Sequence, residues 1–274
     1  MKKNIINSAI YLLLMLGALI IIYPIFLMIL NSLKSNTDFM RSVFSFPEKL
    51  VFENYPIAWK QGGFFRSLIN SLFLTTISVI ILLSFGSLAA YPISRKDIPG
   101  KTLIYILFLS GLMIPAQVIA IPLFILERNL MLLNTFTGLI FVYIATQLPI
   151  AIFILVGFMA AIPKELEEAA TIDGCSNFIS FSRIIFPMLK PAIATVTILT
   201  SLNIWNDFFI PLILLSSQKK MTVNLRLHAF QGYHRVDYTT LFAFIASMII
   251  PIIILFIIMQ KNIMKGMTEG AVKA

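Results

Sequence analysis

The sequence predicts an all-α, polytopic membrane protein with six transmembrane helices and a cytoplasmic loop that projects from the bilayer. Two observations support this fold class. Of the 274 residues, 59% are hydrophobic and only 12% are charged, with a mean hydropathy of +0.93, whereas soluble domains carry about 25% charged residues. The charged residues also divide the chain into six apolar blocks, and each block exceeds the roughly 20 residues that a helix needs to cross the hydrocarbon core.

The predicted spans follow these blocks in chain order within a single transmembrane domain, residues 1–274. Their approximate bounds are 9–30, 67–92, 103–126, 136–160, 191–216 and 239–260. The first span follows Lys2 and Lys3, as the apolar core of a signal peptide does. Its apolar run is longer than a usual signal core and no small-residue cleavage site follows, so we expect this span to be retained.

The short loops decide the predicted orientation, because the basic residues as a whole divide almost equally between the two sides of the membrane. Cytoplasmic loops are enriched in Lys and Arg. The loop after the second span contains three basic residues, Arg95, Lys96 and Lys101, whereas residues 127–134 contain one basic residue, Arg128. We therefore expect both termini, and the loops after the second and fourth spans, to lie in the cytoplasm.

The composition also argues against several kinds of site. One cysteine, Cys175, cannot form an internal disulfide, and with two histidines it makes a poor metal site. The net charge of +9 is scattered among apolar blocks, which fits membrane flanks better than a nucleic-acid surface. Residues 100–102 imitate the end of a phosphate-binding loop, but Arg95 stands where that motif needs glycine. We expect no metal, no nucleic acid and no bound cofactor.

The loop between the fourth and fifth spans, residues 162–187, is the most informative segment. Pro163 suits the first turn of a helix. The acids that follow complement the helix dipole; they are Glu165, Glu167 and Glu168. Gly174 is placed to end this helix in the left-handed conformation, so the sequence predicts a short helix followed by a turn.

A second short helix is predicted to start at Ser176, whose hydroxyl suits an N-cap. Phe178, Phe181 and Ile185 would form one apolar stripe on it, until Pro187 and Pro191 break the helix before the fifth span. On the first helix, the residues that share a face are Leu166, Ala169, Ala170 and Asp173. This surface suits close approach by a partner, although a solvated hairpin accounts for the same residues.

In this loop the chain resembles a known family, the permease subunits of ATP-binding-cassette (ABC) importers. Glu168-Ala169-Ala170, Gly174, Ile184 and Phe186-Pro187 have the spacing of that family's cytoplasmic EAA loop. At position 186 the family more often has Leu. Two further segments, Trp205-Asn206-Asp207-Phe208 and the tail 265–273, are similar to the smaller permease of maltose-type carbohydrate importers.

The resemblance implies a permease subunit in the plasma or inner membrane, and not an enzyme. It would translocate a sugar or oligosaccharide delivered by an extracytoplasmic solute-binding protein. Its other implied partners are two ATP-binding subunits, whose ATP hydrolysis drives transport, a second permease subunit in a heterodimer, and the lipid membrane. The C-terminal cytoplasmic tail, residues 261–274, either anchors the last span by its basic charge or contacts the ATPase pair.

The resemblance further implies that the loop is a coupling helix seated in a cleft of an ATPase subunit. The expected contact residues are Glu165, Glu168, Ala169, Ala170, Asp173, Gly174, Phe178 and Phe181.

The fifth predicted span carries a polar stripe. Asp207 is the only residue within a predicted span that is charged at neutral pH, and an aspartate at the centre of a bilayer costs about 2.5–3.5 kcal/mol on insertion scales. Thr200 and Asn203 share its face by helical spacing. The candidate substrate-pathway residues are Thr200, Asn203, Trp205, Asn206 and Asp207. The same polar groups could instead form interhelical hydrogen bonds that only hold the bundle together, and both interpretations stay open.

Other functions compete with a sugar importer. An ABC importer permease for a non-sugar solute differs only in its ligand. A secondary, ion-coupled transporter would use Asp207 as an ion site but leaves the EAA-like loop unexplained. A membrane-embedded enzyme is disfavoured, because acid–base chemistry usually needs more than one positioned titratable group.

Overall fold

The computed structural model describes residues 2–61, 63–233 and 237–271, and the secondary structure within these ranges is entirely helical. Helices are the structure that satisfies every backbone donor and acceptor of an apolar segment from within the segment itself. The helices are α1 Lys2–Ser32, α2 Asn36–Arg41, α3 Asn54–Gln61, α4 Phe64–Arg95, α5 Lys101–Ser110, α6 Ala120–Asn129, α7 Phe136–Ala160, α8 Glu165–Ile172, α9 Asn177–Ser180, α10 Phe186–Met188, α11 Lys190–Asn206, α12 Phe209–Leu214, α13 Val223–Tyr233 and α14 Tyr238–Ala271.

Among the described residues, four helices are long and apolar enough to cross a membrane. They are Ile6–Ser32, Phe64–Arg95, Phe136–Ala160 and Tyr238–Gln260. A fifth crossing is possible if Asn177–Met188 and Lys190–Asn206, which meet at a 71° bend, form one broken span. The prediction of an all-α membrane protein is confirmed, whereas the count of six spans is not.

The third predicted span, residues 103–126, is not one continuous helix. After α5 the chain forms a single 3₁₀ turn, Gly111–Met113, and α6 begins only at Ala120. Ile114 is extended, with φ −94° and ψ 111°, because the ring of Pro115 disfavours the helical conformation of the residue before it. Hydropathy alone does not register this break.

The last predicted span, residues 239–260, corresponds to the apolar segment Tyr238–Gln260, and α14 continues beyond it to Ala271. The predicted C-terminal tail, residues 261–274, is thus helical in its backbone up to that residue. Its side chains, and residues 272–274 altogether, lie outside the described part of the chain.

The described chain divides into two compact units. The first comprises Met1–Arg66 and Arg226–Ile250. In it, Lys34 is fully buried, and its ammonium group donates to the carbonyls of Ser42 and Val43 at 2.9 and 3.1 Å. Because a buried charge needs such partners, these bonds tie Lys34 to the residues that follow α2.

The second unit comprises Ser67–Leu225 and Pro251–Ala274 and is organised around α7. Helix α7 packs on α11. One group of buried side chains, including Leu74, Leu139 and Ile204, joins α4, α7 and α11. A second group extends this core to the end of α4 and the loop 162–187, and it consists of Leu82, Ala90, Tyr91, Ala151, Leu155, Met159, Phe181, Ile185, Leu189, Ala192 and Val196.

We expect Gly138→Ala to destabilise the protein. The Thr135 hydroxyl caps α7 by accepting from the Gly138 N–H at 3.0 Å. A Cβ at position 138 would lie 2.7 Å from the Leu132 carbonyl and would collide with the Glu127 carboxylate. Overpacking of this kind costs about 1–3 kcal/mol. Thermal unfolding of the purified chain in detergent measures the loss.

Gly157→Ala is the matched control, because Gly157 lies in the same helix and a Cβ there meets no neighbouring atom within 4 Å. Glycine is about 1 kcal/mol less favourable than alanine inside a helix, and Gly157→Ala removes only this cost. The unfolding temperature of Gly157→Ala should therefore equal or exceed that of the parent. Equal losses in the two variants would contradict the steric argument.

Asp237 caps the start of α14. Without this carboxylate, the free energy of unfolding should change less as pH is lowered into the acid range. One carboxylate oxygen accepts from the backbone N–H groups of Thr239 and Thr240 at 3.1 and 3.2 Å. Burial alone would raise the pKa of Asp237, but the hydrogen bonds from Thr239 and Thr240 outweigh it and hold the pKa below its usual value. The ionised Asp237 therefore stabilises the folded protein fully at pH values above the ordinary pKa of aspartate in the unfolded chain. This stabilisation is lost as pH falls through the lowered pKa of the folded protein.

We expect Asp237→Ala to lower stability by about 0.5–2 kcal/mol at neutral pH. The gap from the parent should narrow when unfolding is repeated below the ordinary pKa of aspartate, because the stabilisation by the ionised cap decreases as pH falls from that value through the lowered pKa of the folded protein. Asp237→Ser, which keeps a capping oxygen, should recover most of the neutral-pH stability. A gap that stays constant across this pH range would rule out the ionised cap.

Candidate functional site

The loop 162–187 begins with a helix that ends as predicted. Helix α8 carries all three glutamates of the loop in its first turn, where negative charge favours the helix dipole. Gly174 follows with φ +79°, a left-handed conformation that costs glycine nothing. The Cys175 N–H then donates to the Ala170 carbonyl at 2.9 Å. The predicted left-handed end of this helix is confirmed.

The second arm of the loop is a helix with a local distortion. The Ser176 hydroxyl caps α9 by accepting from the Ile179 N–H at 3.4 Å, which confirms the predicted N-cap. The helix widens into a π turn at Phe181–Ile185, continues as α10 and then meets α11 at the 71° bend. The predicted break before the fifth span is confirmed at the bend before Lys190, but Pro187 does not cause it, because Pro187 lies within the helix Asn177–Met188.

The predicted apolar stripe of Phe178, Phe181 and Ile185 is wrong. The exposed fraction is 70% for Phe178, 7% for Phe181 and 0% for Ile185. The helix places only one face on the core of the second unit, and the π turn changes the angular spacing of residues within it. Phe181 packs against the ring of Tyr91, with ring centroids 4.9 Å apart.

Most of the predicted partner-contact residues are exposed. The exposed ones are Glu165, Glu168, Ala169, Asp173, Gly174 and Phe178. Ala170 and Phe181 are buried within the chain itself, so neither is available to a partner in this conformation. Sequence reasoning missed Ile172, whose side chain is 86% exposed and extends the apolar part of this surface.

Sequence reasoning also missed the residues that hold the loop in place. The Tyr91 hydroxyl donates to Oε1 of Glu167 at 2.7 Å. The Arg95 guanidinium forms an ion pair with the other oxygen of the same carboxylate. Arg95 also donates to the carbonyls of Ile162 and Pro163 at 2.8 and 3.2 Å. We call Tyr91, Arg95 and Glu167 the Arg95 cluster.

The sequence did contain one signal for this contact. Arg95 and Glu167 have opposite charges and belong to loops that are predicted on the same side of the membrane. The neighbouring residues add further contacts between these loops. Lys96 donates to the side-chain oxygen of Asn177 at 2.7 Å. Lys101 holds the pKa of Asp97 below its usual value, through a hydrogen bond to the Asp97 carboxylate and through its positive charge. The positive charge of Lys164 lowers the same pKa to a smaller extent.

The polar residues of the fifth predicted span, 191–216, do not form one stripe. Helix α11 ends at Asn206, and Asp207 is extended, with φ −69° and ψ 126°. Its carboxylate accepts from the N–H groups of Phe209 and Ile210 at 2.9 and 3.3 Å. The expectation that Asp207 shares a helical face with Asn203 is therefore wrong, because Asp207 caps α12 instead.

Two other predicted pathway residues are enclosed by the protein. Thr200 is fully buried, and its hydroxyl donates to the Val196 carbonyl at 2.7 Å. Trp205 is 4% exposed, so its ring offers no free surface to a sugar in this conformation. Thr200 is predicted from helical spacing and Trp205 from the flat apolar ring that it could offer to a sugar, and neither argument says which face of α11 packs on other helices.

Asn203 and Asn206 remain exposed. The Asn203 amide nitrogen donates to Oε1 of Gln147 on α7 at 3.1 Å. This is an interhelical hydrogen bond of the kind that holds a bundle together. Both amides also keep donors and acceptors that can bind a hydroxyl-rich solute. Within the described residues, no group of three or more His, Cys, Asp or Glu is placed to hold a metal ion.

Comparison with known proteins places these features in a family. The model of a family described as "Binding-protein-dependent transport system inner membrane component" matches residues 82–269. The chain is 34% identical over 260 residues to the diacetylchitobiose uptake system permease protein NgcG of Streptomyces coelicolor, covering 94% of this chain and 86% of that protein. It is 37% identical over 269 residues to the multiple sugar-binding transport system permease protein MsmG of Streptococcus mutans, covering 96% of each.

The fold is also similar to a solved structure. The crystal structure of a bacterial ABC transporter involved in the import of the acidic polysaccharide alginate matches with a TM-score of 0.83 and 25% identity, covering 95% of this chain and 97% of that chain. The family match includes more than half of the chain, and the curated relatives align along nearly all of it. The chain therefore belongs to the binding-protein-dependent transport system inner membrane components, and it is a transporter permease subunit and not an enzyme.

Proposed function

We propose that this chain is one of two permease subunits of an ABC importer that takes up a sugar or oligosaccharide. A solute-binding protein delivers the solute from outside the cell, and two ATP-binding subunits drive its transport. The observation that carries the proposal is the exposed surface of α8 and its left-handed end at Gly174 in a chain of this family. The names of the relatives, which include diacetylchitobiose and multiple-sugar systems, support a carbohydrate as the solute.

The loop 162–187 is the coupling element in this proposal. Glu165, Glu168 and Asp173 offer exposed carboxylates, while Ala169 and Gly174 leave room for a partner's backbone to approach. Ile172 and Phe178 project apolar side chains beside them. A surface of acidic and small residues with two apolar side chains fits a cleft on an ATP-binding subunit, in the way that helices dock into grooves. Closure of the ATP-binding subunits around ATP would then move α8.

The proposed topology has six crossings, with both termini in the cytoplasm of a plasma or inner membrane. The two short helices α5 and α6, joined through residues 111–119, would make the third crossing as a broken span. Non-helical backbone is tolerated at membrane depth where protein or water covers it. The basic residues of the loop 95–101 support this orientation.

The proposed solute pathway includes Asn203 and Asn206, which are the exposed polar residues near the end of α11. Thr200, Trp205 and Asp207 act in this proposal as packing and capping residues that fix the shape of the pathway wall. Sugar hydroxyls need paired donors and acceptors when they leave water, and side-chain amides provide both.

Glu168→Lys should uncouple this chain from its ATPase. Reversing one charge at a docking surface is expected to cost the interface about 1.4 kcal/mol or more, which is a tenfold loss of affinity. Cells that express the full importer should lose ATP-driven uptake of labelled sugar by about tenfold, with a normal amount of the variant in the membrane. Less ATP-binding subunit should co-purify with it.

Glu53→Lys is the control for charge reversal, since Glu53 is also exposed but lies outside the loop 162–187. Its uptake should match that of the parent. The docking role is disproved if Glu168→Lys imports sugar at the parental rate and retains the ATP-binding subunits.

Substitutions of Asn203 and Asn206 distinguish a role in binding the solute from a role in helix packing. Asn203→Leu removes a hydrogen bond to α7 and should lower stability by about 0.5–1.5 kcal/mol as well as uptake. Asn206→Leu should lower uptake by about fivefold or more while the unfolding temperature stays unchanged, because a lost solute contact of about 1 kcal/mol acts only on transport. Parental uptake by an assembled Asn206→Leu importer would exclude this residue from the pathway.

A further inference from the structure

The Arg95 cluster connects the loop 162–187 to a transmembrane helix that is distant from it in sequence. The chain itself links α8 to α7 only through the short turn Ala161–Lys164. On the other side, the link to α11 runs through a π turn and the 71° bend. Distortions of this kind are common hinges in helices, so the covalent connections alone transmit movement poorly.

Arg95 uses its whole guanidinium group in these contacts. Nε pairs with Glu167, Nη1 donates to the carbonyls of Ile162 and Met159 at 2.8 and 3.3 Å, and Nη2 donates to the Pro163 carbonyl at 3.2 Å. The side chains of Arg95 and Glu167 are only 2% and 14% exposed. This planar set of donors is specific to arginine, because an ammonium group does not have the same geometry.

Tyr91 completes the attachment from one helical turn earlier in α4. Its hydroxyl binds the second oxygen of the Glu167 carboxylate, so both oxygens are held by the same helix. Its ring packs on Phe181 in the second arm of the loop. The last turn of α4 therefore holds both arms of the loop, whereas Glu165 and Glu168 stay exposed on α8.

We propose that Arg95, together with Tyr91, is a positioning residue that makes α8 and α4 move as one body. Movement imposed on α8 by an ATP-binding subunit would then pass directly into α4 through Glu167, and would not be absorbed by the turn 161–164 or by the bend before α11. This inference rests on the proposed function of the loop and deepens it, because it names the transmembrane helix that receives the movement.

The test uses the complete importer in proteoliposomes, with ATP hydrolysis and sugar uptake measured on the same sample. Arg95→Lys keeps the charge but loses the planar donor set, and Tyr91→Phe keeps the packing but loses one hydrogen bond. Both variants should assemble with normal amounts of ATP-binding subunit and hydrolyse ATP at near the parental rate. Sugar imported per ATP should fall by about tenfold for Arg95→Lys, within the usual range of coupling between sites, and by less for Tyr91→Phe.

Arg128→Gln controls for the loss of an arginine, since Arg128 is exposed on α6 and lies outside this cluster. Its yield of sugar per ATP should equal that of the parent. A parental yield in both Arg95→Lys and Tyr91→Phe overturns the inference. Equal losses of subunit binding, hydrolysis and uptake also overturn it, because they would mean that the cluster only folds the loop. Failure of the parent importer to use ATP would instead overturn the proposed function.

Discussion

The buried ion pair between Arg95 and Glu167 is the interaction on which the arrangement of the loop 162–187 depends. Placing a guanidinium group where only 2% of its side chain is exposed is costly unless charge and hydrogen bonds compensate for it. Glu167 and three backbone carbonyls provide that compensation, so α8 is held at the end of α4. The opposite side of α8 is thereby left free, with its remaining acids, small residues and Ile172 on the surface.

This division of α8 into a held side and a free side connects structure to function. A docking element must be fixed to its own chain and still present a surface to another subunit. In the proposed coupling role, Glu167 meets the first requirement through its bonds to α4, and the exposed Glu165 and Glu168 meet the second. Removal of one partner from a buried pair usually costs far more than removal of an exposed charge, so in this proposal the three glutamates of α8 have different roles although their chemistry is the same.

The features that sequence predicted well depend on local chemistry. Apolar runs between charges located the helices Phe64–Arg95, Phe136–Ala160 and Tyr238–Gln260, because a membrane segment must satisfy its backbone from within. Gly174 and Ser176 were predicted from the conformational freedom of glycine and the hydroxyl of serine at helix ends. These properties belong to single residues and their nearest neighbours, and they do not require knowledge of the fold.

The features that sequence predicted wrongly depend on distant partners. Helical spacing grouped Thr200, Asn203 and Asp207, but it could not register that the helix ends at Asn206 or that Thr200 faces the protein core. Arg95 was counted only as a loop charge, because its partner Glu167 follows 72 residues later. The break inside the third predicted span, residues 103–126, has a local cause at Pro115, which the hydropathy of the block does not register.

Identification of the energy source of transport tests whether this chain is driven by ATP-binding subunits. Proteoliposomes would contain this chain, its companion permease, the ATP-binding subunits and the binding protein, with labelled sugar outside and ATP available to the ATP-binding subunits. We expect uptake that requires both ATP and those subunits and that persists when an ionophore collapses every ion gradient. Accumulation of sugar by this chain alone, driven by an ion gradient without ATP, would contradict this expectation.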